Sequence, residues 1–552
     1  MATQSQTPSP SDGFTFQWDS PEDAMQTWTV DLMHWPNGIS RLAATMDMPA
    51  FGRGLNKVAH DLCMPFTKME FKAFAGYVYT SVIPYSTDPA KFEARMVEMQ
   101  AQLGKHVPGL LDRWYREYEP EVRSINNETL NSDYGKLGDG DVSALLERLV
   151  DKREREGELH FLAVFPAMGA VMFYEEVYTK LFGEPVAGEH LQLLQGFPNK
   201  SVEVGNAIWQ LAMEARRRPQ VMKVLHSVAP AETKAALSQS DEGRVYLGAV
   251  AEFLRKYGWR SNELDLASPT WFEEPSTLYA MLREYSARED YNPDDEMKSL
   301  VSAREAREKL LMEEVSGSPQ LDMFRQVLAG AQQYLPIQED HNFWIDQQGV
   351  AVQRVPVLEA GRRLAEAGRI AHAGDIFFLQ YDELQDALRA GKGDLHELVD
   401  RRKRERDESR QVTPPPLLGT PPPPELAENP MMNKFFGGLP AESPDPRIIN
   451  GNAASAGTVT GTARVILSLD DAGRLQPGDI LVCPATMPPW TPLFAIASAV
   501  VTDHGGVLSH TAIVAREYRI PAVVGTKVAT TLVSDGQRIT VDGTAGTVKL
   551  ET

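Results

Sequence analysis

The residues best suited to chemistry lie together near residue 510. An apolar stretch, 496–501, runs through Thr502 and His504 into Gly505-Gly506, and Ser509 then hands over to His510 at the start of a helical pattern. An imidazole with the ordinary pKa near ~6.5 is a nucleophile at neutral pH. Ser509 is a suitable N-cap, and the first N–H groups of a helix are unpaired and point outward. Those donors, with the positive end of the helix dipole, would stabilise an anion carried on the ring. The arrangement therefore points to phosphohistidine chemistry. It requires a strand ending near 501, a glycine loop and a helix opening at His510. Thr502, His504, Gly505, Gly506, Ser509, Thr511 and Arg516 form the candidate phosphate loop. His504 either orients the loop, binds phosphate or fills space. Arg516 lies about 240° around the helix from His510 at ~100° per residue, so it is expected to meet phosphate arriving from a partner.

These residues fit the pattern T-x-x-G-G-x-x-[SC]-H-[AGT]-A-I-x-A-R, continued by Ile520-Pro521-Ala522-Val523-Val524-Gly525 and preceded by Gly478-Asp479-Ile480-Leu481-Val482. The region from Gly451 onward thereby resembles the phosphohistidine domain of the phosphoenolpyruvate-utilising enzymes. The resemblance implies a swivelling β/β/α domain whose histidine carries a phosphoryl group between two distant sites.

The chain has 552 residues, a formal charge of −21, 42% hydrophobic and 24% charged residues. Such a length suggests three or four units of roughly 150 residues. The negative charge argues against nucleic acid or an anionic membrane as partner. Cys63 and Cys483 are far apart in sequence, which supports neither a disulfide framework nor a thiolate metal site. Residues 1–13 are polar, read as a disordered start rather than a signal peptide, and no apolar run reaches the ~18 residues of a membrane span. A cytoplasmic protein is expected, with no metal cluster of its own.

The expected fold class is multidomain α+β. A large, mainly helical substrate-binding domain is expected over 14–410, with helical periodicity over 141–155, 202–217, 241–257, 294–315 and 319–335, and with 375–379 read as a strand. Residues 411–446 read as a Pro-rich flexible linker. The stretch 413–446 contains eleven prolines, and at roughly 3.1 Å per residue in polyproline II it would span on the order of 100 Å. Residues 447–552 form the compact mixed domain.

For the acceptor, the densest polar and aromatic cluster is 335–346. On a helix Glu339, Asn342 and Asp346 share one stripe and Asp340 and Trp344 another. His341 or Glu339 is the candidate base that would deprotonate an attacking hydroxyl. Asp340, Asn342, Phe343 and Trp344 are candidate substrate contacts, the two rings as stacking surfaces. His34, beside Trp35-Pro36, is a site residue or a structural histidine. Arg260 and Glu263 bind substrate or form a buried ion pair. Met487-Pro488-Pro489-Trp490-Thr491-Pro492 is a docking surface or a tight turn. Tyr257-Gly258-Trp259-Arg260, Pro269-Thr270-Trp271 and Asp375-Ile376-Phe377-Phe378-Leu379 resemble segments of the acceptor domain of rifampin phosphotransferases and phenylphosphate-synthase-type enzymes.

The sequence has no evident P-loop, ATP-grasp pattern or pyruvate-binding barrel. The resemblance then implies an ATP-dependent dikinase subunit. A separate ATP-grasp partner, holding ATP and Mg2+, would phosphorylate His510, and a small phenolic hydroxyl would receive the group. A rifampin-type antibiotic phosphotransferase and a non-enzymatic phosphocarrier or regulator are the alternatives.

Overall fold

The computed structural model describes residues 14–288, 292–390, 393–421, 434, 437, 438, 440 and 443–551, without the side chains of 186–188 and 390. The expected disordered start at 1–13 and much of the Pro-rich segment lie outside the described residues. The chain forms two units, one from Met1–Pro166, Glu263–Ser268 and Trp344–Ala427, the other from Ala167–Asn262, Pro269–Phe343 and Glu428–Thr552. The coarse class, multidomain α+β, is the one the sequence implies.

The first unit contains a four-stranded antiparallel sheet in the order Phe66–Phe74, Tyr77–Pro84, Thr27–Val30, Leu417–Gly419. Ala75 and Gly76 both have positive φ, 49° and 80°. Such a two-residue turn matches the right-handed twist of the flanking strands and closes the long hairpin. The sheet's core is aromatic, with Phe14, Trp28, Phe74, Tyr77 and Tyr79 buried together. Here the Pro-rich segment departs from a free spacer. Leu417–Gly419 pairs with Thr27–Trp28–Thr29, and Tyr79 donates to the Pro415 carbonyl at 2.8 Å.

The helix expected at 141–155 begins at Asp139 and runs to Phe182. Among the described residues it is long and apolar enough by composition to cross a membrane, and 56% of that apolar window is buried. Helix Asp47–Asp61 lies directly against it. A side chain at Gly54 would strike the Glu154 carbonyl, and one at Gly157 would come within 2.6 Å of the Phe51 carbonyl. The Asp375-Ile376-Phe377-Phe378-Leu379 segment is a 3-10 turn, Ala373–Phe378, not a strand. Its apolar side chains suit either state, but His372 and Asp375 cap each other's backbone and fix the turn.

The second unit joins helices to an eight-stranded sheet. Strand order is Ile448–Asn450, Thr547–Leu550, Arg538–Asp542, Thr458–Val465, Ile480–Cys483, Ala499–Thr502, Ala522–Val524, Asn452–Ser455. The run from Thr458–Val465 to Ala522–Val524 is parallel. Ile480–Cys483, Ala499–Thr502 and Ala522–Val524 are nearly continuous buried apolar residues, as strands covered on both faces must be, whereas Thr458–Val465 alternates polar and apolar residues. Helix His510–Glu517 is the crossover between Ala499–Thr502 and Ala522–Val524, which puts its first residue at the carboxyl end of a parallel strand, where ligands bind in open α/β sheets.

The helices of this unit include Lys200–Arg216, Asp241–Tyr257, Ser276–Ala287, Pro293–Glu314, Leu321–Ala331 and Tyr334–His341. The pattern expected over 319–335 is thus divided at Gln332-Gln333. At Asn342 the helix widens into a π segment, Asn342–Gly349. The ~100° step behind the Glu339–Asn342–Asp346 stripe ends there, because a π turn holds more residues than an α turn.

Candidate phosphohistidine site

The loop before His510 is set by backbone geometry. Gly505 has φ 109°, and a Cβ there would sit 2.8 Å from Ser509 Oγ. Thr502 Oγ1 donates to the His504 carbonyl at 2.8 Å, and His504 N–H donates to the Pro484 carbonyl at 2.9 Å. The buried Asp503, passed over in the sequence, anchors the loop by accepting from Thr526 Oγ1 and Thr530 N, both at 3.1 Å. Gly506 accepts the Ser509 N–H at 3.0 Å. Ser509 occupies the N-cap position with φ −69° and ψ 162°, but its Oγ is buried and has no partner among the described residues. Thr511 Oγ1 lies 2.8 Å from Thr486 Oγ1.

Arg516 differs from its expected role. It is buried, and its Nη1 donates to the Ala454 and Val507 carbonyls at 2.8 and 2.9 Å. It therefore clamps the loop from behind instead of facing arriving phosphate. Burial brings its guanidinium down to about 10.

His510 is held on both nitrogens. Nδ1 lies 3.2 Å from Glu339 Oε1, and Nε2 lies 3.3 Å from Thr491 Oγ1. Glu339 is buried, which would raise its pKa. The charge and hydrogen bond of His510, the Ser201 hydroxyl and the charge of His341 outweigh this and hold it below the ordinary value. An ionised carboxylate only accepts, so the proton sits on Nδ1. In the neutral ring Nε2 keeps its lone pair, is the nucleophilic nitrogen, and accepts from Thr491. Ser201 donates to the other Glu339 oxygen. Thr491 lies in the Pro-rich turn flagged in the sequence. Ser201 carried no signal beyond lying two residues past the helix N-cap Asn199.

Several contacts fix the sheet against the helices of the same unit. Tyr334 donates to the Leu508 carbonyl at 3.1 Å, and Gly196 N–H donates to Glu517 Oε1 at 3.0 Å. Arg283 Nη2 donates to the Gly473 carbonyl at 2.8 Å, and Asn262 Nδ2 to Asp470 Oδ1 at 2.9 Å. From the Pro-rich segment, Lys434 accepts the Leu508 N–H at 2.9 Å and pairs with Glu175.

The other sequence candidates divide between the units. In the second, His341 Nδ1 donates to the Ile337 carbonyl at 2.7 Å, leaving Nε2 as its basic nitrogen. Asp340 Oδ1 accepts from Lys200 N at 2.7 Å at the start of helix Lys200–Arg216. Asn342 Oδ1 is buried without a partner among the described residues. The Phe343 ring lies 5.9 Å from the Arg260 guanidinium. In the first unit, His34 Nδ1 meets Asp31 Oδ2 at 2.7 Å, Glu263 accepts from Asn37 Nδ2 at 2.8 Å, and Trp344 lies under Arg123 at 4.9 Å. The expected Arg260–Glu263 pairing is replaced: Glu263 takes the neutral amide of Asn37, and the carboxylate whose charge acts on Arg260 is Glu339.

Known families account for both sides of the His510–Glu339 contact. The mobile domain of PEP-utilising enzymes matches residues 475–546, and the fourth domain of rifampicin phosphotransferase matches 160–339. Both matched segments are thus similar to domains of PEP-utilising phosphotransferases. Among similar proteins, chondramide synthase cmdD of Chondromyces crocatus is 33% identical over 97% of this chain but 14% of its own length. Uncharacterized phosphotransferase YvkC of Bacillus subtilis is 31% identical over 92% of this chain and 60% of its own. Rifampicin phosphotransferase of Bacillus cereus is 29% identical over 82% and 52%. The chain thus spans less than two thirds of the length of each of these three relatives.

Proposed function

We propose that this chain is the histidine-carrying, acceptor-binding subunit of an ATP-dependent dikinase that phosphorylates a small phenolic hydroxyl in the cytoplasm. The observation that supports this most directly is the position of His510. Its Nδ1 is held by Glu339, its unprotonated Nε2 faces the Thr491 hydroxyl, and Glu339 belongs to the helical part matched by the rifampicin phosphotransferase domain. A nucleotide-binding unit outside residues 1–552, an ATP-grasp subunit, supplies the phosphoryl group and holds ATP and Mg2+.

In the second step the acceptor oxygen attacks phosphorus on Nε2. The P–N bond breaks, its electron pair returns to Nε2, and the acceptor proton passes to a base. His341 Nε2 is the candidate base, since its Nδ1 is committed to the Ile337 carbonyl. Glu339 orients the His510 ring and stabilises the charge on it while it carries phosphate. A loose phosphoryl-transfer transition state asks mainly for positioning and charge stabilisation, which these groups supply.

The relatives named rifampicin phosphotransferases favour a second reading, a larger hydroxylated antibiotic as acceptor. The test is incubation with labelled ATP, alone and with a candidate ATP-grasp protein, followed by a panel of phenols and rifamycins. Label on His510 in the pair and a phosphorylated phenol support the first reading, and a phosphorylated rifamycin supports the second. A His510→Ala chain that still turns over removes both.

A further inference from the structure

Arg260 is 1% exposed, yet its Nε and Nη2 have no hydrogen-bond partner among the described residues. Its backbone is fixed, because the Arg260 carbonyl accepts from Trp271 N at 2.8 Å beside the Ser261–Thr270 bridge. The guanidinium lies 4.9 Å from the Trp271 ring and 5.9 Å from the Phe343 ring. Aromatic faces attract the cation but leave its in-plane N–H donors unused. Burial draws the group down to about 9, and the opposing influence is the charge of Glu339. Glu339 is already engaged, by His510 on one oxygen and Ser201 on the other. A buried cation with two donors unpartnered among the described residues, while the carboxylate whose charge acts on it is engaged elsewhere, lacks an anion. The other buried arginine of the loop is no substitute, since Arg516 is spent on two carbonyls.

We infer that Arg260 is the receiver of the phosphoryl anion, binding the non-bridging oxygens of phosphate beside Glu339 and His510. A guanidinium presents its donors as a planar fork matched to two oxygens of a phosphate. Phosphate on Nε2 brings a second negative charge next to Glu339, and Arg260 offsets that repulsion. As the P–Nε2 bond breaks and the P–O bond to the acceptor forms, the same oxygens remain on the guanidinium. This role rests on the proposed phosphotransfer, but the anion site is measurable without it.

The probe is inorganic phosphate, titrated calorimetrically into the full chain at neutral pH. Arg260→Met keeps the stem against Trp271 and Phe343 and removes the fork, and Arg260→Lys keeps the charge. We expect wild type to bind phosphate, Arg260→Met to bind at least ten-fold more weakly, and Arg260→Lys to fall between. Near-UV circular dichroism verifies that the variants are folded, and Arg260→Lys carries the test if Arg260→Met is not. Absence of phosphate binding by wild type, or unchanged binding in a folded Arg260 variant, overturns the inference. Loading His510 with phosphoramidate, which needs no partner, separates the two ideas. Arg260-dependent phosphate binding in a chain whose phospho-His510 transfers to no acceptor sustains the anion site and removes the functional reading.

Discussion

Glu339 Oε1 lies 3.2 Å from His510 Nδ1 across 171 residues of sequence. This one contact decides which imidazole nitrogen carries the proton. Glu339→Gln replaces an obligate acceptor with a group that also donates, so Nδ1 no longer holds its proton against a charge. By analogy with a carboxylate that fixes a catalytic imidazole, transfer from phospho-His510 to acceptor should fall on the order of 10²–10⁴-fold. Loading by the ATP-dependent partner should change far less, because Glu339 belongs to the acceptor side. Rapid-quench measurement of the two half-reactions checks this, and equal losses in both would refute the assignment.

Thr491 faces the other nitrogen, with Oγ1 3.3 Å from Nε2. Thr491→Val keeps the shape and removes the donor. A net hydrogen bond of about 0.5–1.5 kcal/mol corresponds to roughly a 2- to 13-fold slower discharge of phospho-His510. Single-turnover decay of the labelled histidine in the presence of acceptor gives the number.

The histidine loop was legible in the sequence because its chemistry is local: a strand, two glycines, a serine and a histidine within one turn-sized stretch. Helix positions were legible for the same reason, since apolar periodicity and N-caps such as Ser240 act over a few residues. Glu339 was legible as an acid in a polar cluster, but its partner was not, since helical stepping ranks neighbours on one helix and says nothing about a residue arriving from another domain. Ser201 carried no signal, and Thr491 stood out only as part of the Pro-rich turn and not as a partner of His510, because neither type is rare near a helix start. The Asp375 segment shows the converse error, where apolar content suggested a strand and a short-range capping pair formed a 3-10 turn. Arg516 was misassigned because rotation about a helix axis gives a direction but not what covers it.

Glu517 predicts a pH dependence. Its Oε1 accepts from Gly196 N, while Oε2 is buried without a partner among the described residues. Burial pushes its pKa up to about 7, against the Gly196 hydrogen bond and the Arg516 charge. An unfolded glutamate titrates near ~4.3. Between these values the folded state holds a proton that the unfolded state has released, so this group's contribution to stability declines as pH rises from about 4.3 to 7 and is level above that. Glu517→Gln removes the titration. Relative to wild type it should gain stability from pH 5 to pH 8, on the order of 1–3 kcal/mol. Thermal melts of both proteins at the two pH values test it, and parallel shifts in both would exclude Glu517 as the source.

Gly505 tests whether the loop backbone or the imidazole alone sets reactivity. Its φ of 109° lies where L side chains are strained, and a Cβ would stand 2.8 Å from Ser509 Oγ. Gly505→Ala therefore suffers twice, from backbone strain of about 1–3 kcal/mol and from a methyl driven into the residue that precedes His510. The Ser509 side chain yields most readily, having no partner to lose, but Ser509 N–H is tied to the Gly506 carbonyl at 3.0 Å, so relief by moving the backbone disturbs the helix start. The expected result is lower thermal stability together with slower loading of His510 by phosphoramidate. The two readouts part company under Gly505→Ala, Ser509→Gly, which restores room for the methyl but not the backbone strain. Loading should recover while most of the stability loss remains. If loading stays slow in the double variant, the loop's backbone conformation, and not the seat of Ser509, governs access to Nε2.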